Sequence, residues 1–226
     1  CGVADEGGYW PAFSSNEEAI ETLAQVIESA GFDTGSQVAI SLDIAATQLY
    51  RDGGYFLKKE GRSLSTEQWY DLMCEWVNRY PVIMIEDPFV EDDLDSHARF
   101  TAEMGHRLQV VGDDLLVTNL RNIALAKEKK ACNALLCKPN QAGTLTEARQ
   151  AFDAATAAGW NTIVSARSGE TEDVTIVHLA LGWGIRQLKV GSFARSERMA
   201  KWNEALRLED YFGASASYAG GQPFGK

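Results

Sequence analysis

The sequence predicts an α/β fold of parallel-barrel type, and three observations carry that prediction. The first is a series of short apolar runs of strand character that deliver a charged residue at or near their ends. These are ISLDIAA at Asp43, IMIEDPF at Glu86, VVGDDLLVTN at Asp113 and ALLCKPNQAGT at Lys138, continued by VSARSGETED around Arg167 and RQLKVGSFARSER at Lys189. A parallel α/β barrel places its chemistry at such strand ends. The second is spacing: from Asp43 through Glu86, Asp113, Lys138, Ala166 and Lys189 the intervals are 43, 27, 25, 28 and 23 residues. Each is long enough for a strand, a helix and two short loops. The third is that the intervening segments read as helices.

Taken in order, the chain opens with CGVADEGGYWPAF, a Gly-rich turn carrying Asp5 and Glu6. A helix pattern follows at once over 15–30. Residues 65–79 (STEQWYDLMCEWVNR) open with Ser-Thr and a Glu, a capping-box signature, and residues 144–158 (TLTEARQAFDAATAA) end before Gly159. Six strand-plus-helix units can be placed, whereas a closed barrel of this kind needs eight. A barrel lacking its first strands, excerpted from a longer chain, is therefore expected. The one stretch with the composition of a flexible tail is the Gly/Ser/Ala-rich segment after Phe212.

At 226 residues and 45% hydrophobic content the chain can bury one sizeable core. Its net charge of -11 argues against generic binding to nucleic acid or to an anionic membrane, and its apolar stretches fall far short of a membrane span. Cys1, Cys74, Cys132 and Cys137 form no CxxC pair, so reduced thiols of a cytoplasmic protein are expected. His97 and His106 fall in a helix and turn between Glu86 and Asp113, where surface roles are expected. His178 falls in an apolar helix and is expected to be packed.

Three carboxylates and two lysines converging on one barrel mouth would be poor for stability unless a metal or an anionic substrate held them. These residues carry a close resemblance. The runs DEGG at Asp5, DIAA, IEDPF, GDDL-VTN, K-NQ-GTLTEA, SGETED, K-G---RSER and the final LED resemble, in order and over nearly the whole chain, the C-terminal barrel domain of the enolases, a TIM-type barrel. The resemblance implies a reversible dehydration of 2-phospho-D-glycerate to phosphoenolpyruvate in glycolysis. It implies Mg2+ held by Asp43, Glu86 and Asp113, an oxygen-only set that suits a hard cation, with Glu86 and Asp113 also facing the substrate. Asp87 and Asp114 read as loop acids behind those ligands.

By the same resemblance Lys138 is the general base, Lys189 holds the substrate carboxylate, and Glu6 is the acid that protonates the departing hydroxyl. Arg167 and Ser168 are the phosphate-binding pair, the arginine offering a fork of donors. Arg195, Glu197 and Arg198 read as a structural ion-pair cluster. A homodimer or higher homo-oligomer is implied as well. The small N-terminal domain of the family and the early barrel segment with a further histidine and glutamate are not in this sequence.

Departures from the family pattern matter. Where enolases typically read SHRSGETED this chain has SARSGETED, so Ala166 stands where a histidine lines the site. A methyl cannot replace a hydrogen-bonding, chargeable ring. Thr47 and Gln48 in DIAATQLY are milder changes. Two alternatives follow: an enolase paralogue acting on another phosphorylated or phosphonate acid, and, more remotely, a surface-displayed protein offering its terminal Lys226 to lysine-binding partners.

Overall fold

A computed structural model describes residues 1–225. In chain order the elements are β1 (Gly2–Val3), β2 (Tyr9–Trp10), α1 (Asn16–Ser29), β3 (Ile40–Asp43), β4 (Tyr50–Arg51), β5 (Gly54–Leu57), β6 (Arg62–Leu64), α2 (Thr66–Arg79), β7 (Val82–Glu86), α3 (Leu94–Met104), β8 (Gln109–Gly112), α4 (Leu120–Lys129), β9 (Ala134–Cys137), α5 (Pro139–Ala142), α6 (Leu145–Ala157), β10 (Asn161–Ser165), α7 (Thr175–Trp183), β11 (Leu188–Lys189) and α8 (Ser196–Phe212). The chain divides into a central unit, Phe13–Leu116 with Arg121–Ala134, and a terminal unit, Cys1–Ala12 with Val117–Leu120 and Leu135–Lys226.

In the central unit β3, β7 and β8 pair in parallel, with Asp43 opposite Glu86 and Glu86 opposite Val111. The long interval between Asp43 and Glu86 is explained by an antiparallel sheet, β4-β5-β6, inserted before α2. Helix α2 starts as expected, with Ser65 as N-cap, but the residue that completes the capping box is Gln68 rather than a glutamate. Only the third residue beyond the cap can reach back to its N–H. Trp69, fully buried, stacks on Tyr55 at a centroid distance of 4.6 Å and donates its indole N–H to the Pro88 carbonyl at 2.7 Å.

His97 is not a surface residue. It lies fully buried on α3 against Phe89, with Nε2 3.1 Å from the Phe89 carbonyl. The helix pattern gave its existence but not the face on which it sits. That face packs into the aromatic cluster of Tyr70, Phe89 and Phe100. Burial pulls the imidazole pKa down to about 4, against the Phe89 carbonyl, which favours the charged ring. His106 is exposed, as expected.

In the terminal unit β9, β10 and β11 are neighbours in that order, and β10 runs parallel to β11 with Ser165 opposite Lys189. Helices α6 and α7 pack on β10, and α8 packs on α7. Helix α6 is capped by Thr144, whose hydroxyl accepts from the Glu147 N–H, and it ends at the expected place. Val164, Ala166, Ile176, Val177, Ala180, Ile185 and Val190 form the apolar cluster of this unit.

His178 also departs from expectation. It sits on the solvent side of α7, half exposed, with Nε2 3.0 Å from the Glu204 carboxylate. The stripe of α7 that enters the core is Ile176, Val177 and Ala180. The segment after Phe212 is anchored rather than loose: Asn161 donates to the Pro223 carbonyl at 2.8 Å and Arg186 to Gln222 at 3.0 Å. Lys226, on which the surface-binding reading rests, lies outside the described residues. All four cysteines are free thiols, and burial raises the pKa of Cys137 to about 12. Among the described residues no helix is long and apolar enough to cross a membrane.

Two predictions test this packing. Trp69→Phe leaves the Pro88 carbonyl without its donor and removes ring volume, and is expected to cost about 2–4 kcal/mol in chemical denaturation. Because His97 is held neutral in the fold and has its ordinary pKa of about 6.5 when unfolded, the unfolded chain binds the extra proton. Stability should therefore fall as pH drops from about 6.5 to about 4, by roughly 2–3 kcal/mol in all. His97→Gln, which keeps a donor for Phe89, should flatten that part of the stability–pH curve.

Candidate active site

The expected metal ligands all lie in the central unit. Asp43 ends β3 and is exposed, and Glu86 ends the adjacent β7 at its register position with only 1% exposure. Asp113 follows β8 and is 8% exposed. Taking carboxylates this far out of water is costly unless polar or cationic groups compensate them.

Asp87 takes a part of its own. It accepts from the N–H of Asp113 at 3.1 Å and of Asp114 at 2.7 Å, tying the loop after β8 to the end of β7. Burial pushes its carboxyl pKa up to about 7. The two N–H groups oppose that rise, and the neighbouring Asp113 and Asp114 charges add to it. Carboxylate oxygens of Asp87, Asp113 and Asp114 all lie within 4.8 Å of one another. This oxygen-only donor set has the chemistry a hard divalent cation selects, and of the three expected ligands it contains Asp113.

The segment Asp87–Val90 is held by side chains from three elements. Trp69 and His97 bind the carbonyls of Pro88 and Phe89, and the Tyr55 hydroxyl accepts from the Val90 N–H at 3.1 Å. Thr47, one of the departures near Asp43, accepts from the Glu91 N–H at 3.1 Å. The acid-bearing loop is thereby fixed by groups that hold backbone, not carboxylate.

The remaining expected residues all lie in the terminal unit. Lys138 follows β9, half buried, and its N–H donates to the hydroxyl of buried Thr118 at 3.0 Å. Thr118 also donates to Gln141 at 2.9 Å. Its role went unread in the sequence, although it lies in the quoted VTN run. Arg167 and Ser168 follow β10 and are exposed, and Lys189 ends β11.

Glu6 sits at the tip of the β1–β2 hairpin, exposed. Gly7 N–H donates to the Ala4 carbonyl at 2.9 Å, and Gly7 itself takes φ +80°, the left-handed position that a three-residue hairpin loop requires. The hairpin is docked, since Ser192 N–H donates to the Glu6 carbonyl at 2.7 Å. The acid loop is thus joined to the segment leaving Lys189.

The ion pairs expected of Arg195, Glu197 and Arg198 are the smaller part of what these residues do. Arg195 donates to the Ala4 carbonyl at 2.9 Å, with Asp5 at 3.8 Å. Arg198 binds the carbonyls of Asp5, Ser168 and Val190, while Glu197 is 4.0 Å away. Lys201, not singled out in the sequence, binds the carbonyls of Thr171 and Glu197. A sequence signal existed: 198 and 201 share the inward stripe of α8 with Trp202, Ala205 and Leu208, so two cations occupy core positions. Ala166 is 7% exposed and belongs to the apolar cluster.

The family model for the enolase C-terminal TIM barrel domain matches residues 1–226. The α/β barrel expected from the strand spacing is that family's fold.

Gly191 supplies a direct test of the docking. Its φ is +110°, and a Cβ there would lie 2.5 Å from the Glu6 carbonyl oxygen and 2.7 Å from Cδ of Arg198. Gly191→Ala should destabilise the protein by at least about 2 kcal/mol, read as a lowered Tm, whereas Gly159→Ala, in open space, should lose only the smaller penalty of its own positive φ.

Proposed function

The chain belongs to the family of enolase C-terminal TIM barrel domains, and on that footing we propose that it is a magnesium-dependent lyase that interconverts 2-phospho-D-glycerate and phosphoenolpyruvate. The observation that carries the reading lies in one unit. Lys138 follows β9 and Lys189 ends β11, Arg167 and Ser168 follow the strand between them, and the Glu6 hairpin is hydrogen-bonded to Ser192 just beyond Lys189.

In this reading the neutral amine of Lys138 removes the proton from C2. The electron pair of that C–H bond develops as negative charge on the substrate carboxylate, which the Lys189 ammonium faces. The pair then forms the C2–C3 double bond as the C3–O bond breaks, and Glu6 gives its proton to the departing hydroxyl so that water leaves. Arg167 and Ser168 bind the phosphate, which stays attached throughout. Asp43, Glu86 and Asp113 would hold Mg2+. When bound, that ion supplies positive charge for a carboxylate gaining electron density. The same reading makes the protein a glycolytic enzyme of the cytoplasm that works as a homodimer or higher homo-oligomer.

A second reading rests on Ala166. Its methyl packs in an apolar cluster at the start of the phosphate loop, so the substrate beside Arg167 meets no imidazole there. Under that reading another phosphorylated or phosphonate acid is the preferred substrate.

The experiment is turnover of 2-phospho-D-glycerate by the full-length protein, followed by absorbance of the enol product. Lys138→Ala should lower kcat by at least roughly 10²–10⁴-fold and abolish deuterium exchange at C2, while Glu6→Gln should keep that exchange and lose dehydration. An inert wild-type protein would overturn the first reading, and turnover gained by Ala166→His would support the second.

A further inference from the structure

Two cations sit where helix α8 meets the terminal-unit loops, and the reaction proposed above uses neither. Arg198 is 1% exposed and Lys201 is fully buried. Burying them is expensive, and a conventional salt bridge does not account for it: Glu197 is 4.0 Å from Arg198, and Glu170 is 3.9 Å from Lys201. Their close partners are backbone carbonyls. Arg198 donates through Nη2 to Ser168 and, at 3.4 Å, to Asp5, and through Nη1 to Val190 at 3.3 Å. Lys201 donates to Thr171 and, at 2.9 Å, to Glu197 within its own helix.

Those carbonyls are placed in an ordered way. Asp5 precedes Glu6, Ser168 follows Arg167, and Val190 follows Lys189, while Thr171 lies further along the loop that joins β10 to α7. One planar guanidinium therefore touches the backbone beside the acid, the phosphate pair and the carboxylate lysine. The ammonium one turn along the helix holds the middle of the phosphate loop. Gly191 leaves room for the Arg198 chain, whose Cδ would be 2.7 Å from any Cβ there.

We propose that Arg198 and Lys201 are positioning residues, which set the relative placement of Glu6, Lys189 and the Arg167–Ser168 pair by donating to the backbone of the segments that carry them. The proposal rests on the functional reading above for its consequence in catalysis, but the clamp itself is a property of the fold. Arginine suits it because a rigid fork can serve several acceptors at once, whereas an ammonium at the same depth reaches fewer of them. Displacement of a reacting group by about 1 Å costs on the order of 10²-fold in rate.

The test uses the full-length protein with Arg198→Lys, Arg198→Met and Lys201→Met. Arg198→Lys keeps a buried cation, and so remains informative if the methionine variant fails to fold. Hydrogen exchange is the readout that needs no substrate. The Ser192 amide, bonded to Glu6, and the Gly7 amide are expected to exchange at least about 10-fold faster in Arg198→Lys, while the amides of β7 in the central unit keep wild-type rates. In Lys201→Met the acceleration should be confined to the segment that Thr171 belongs to.

Provided the wild type turns over 2-phospho-D-glycerate, kcat/KM should fall about 10²-fold in Arg198→Lys, chiefly through kcat. Unchanged exchange at Ser192, or equal acceleration in both units, would overturn the proposal, since the first denies the clamp and the second makes the residue merely structural. Local acceleration with unchanged kcat/KM would also overturn it. If the wild type lacks turnover, the functional reading fails and the exchange data alone decide whether the clamp exists.

Discussion

A guanidinium taken almost entirely out of water cannot neutralise itself by giving up its proton, so the chain around Arg198 has to supply oxygen. It does so with three main-chain carbonyls from three separate loops, beside Glu6, Arg167 and Lys189. Carbonyls in loops beyond strand ends lack a ladder partner, and burial makes an unpaired one costly. Each requirement meets the other. The consequence is that segments far apart in sequence cannot move independently, and the glycine at 191 is needed because Arg198 and the Glu6 carbonyl already fill the space a side chain would take.

The central unit solves the same problem with neutral groups. Beyond Glu86 the chain leaves β7, and its carbonyls at Pro88 and Phe89 are taken by Trp69 and His97, while Tyr55 receives the Val90 N–H. These side chains belong to α2, α3 and the inserted β5, all committed to the aromatic core. Packing energy and loop position are therefore linked: the loop holding the acids is as rigid as the core beneath it. Asp87 extends the linkage to the next strand by receiving the two N–H groups after Gly112.

Ala166 shows how one substitution can belong to two environments. It follows β10 directly and precedes the phosphate arginine, yet its methyl is counted in the apolar cluster with Ile176 and Val190. An alanine satisfies that cluster at no polar cost. An imidazole at the same place would need hydrogen-bond partners or a different side-chain direction.

Much of this protein is written locally. Strand ends such as IMIED and ALLCK, the caps at Ser65 and Thr144, and the order of motifs from DEGG to RSER are properties of neighbouring residues, and they sufficed for the fold class and the candidate acids and lysines. The faces of the helices were a different matter. His97 and His178 exchanged their expected environments, because an imidazole at a given helix position is buried or exposed according to what packs against that face. The completing residue of the α2 cap likewise depended on reach rather than composition. Least legible of all were the bonds of Arg198, Lys201 and Thr118. A residue that serves the backbone leaves no trace at its partners' positions, since every residue offers the same carbonyl, and only the folded chain decides which three of them a buried cation will meet.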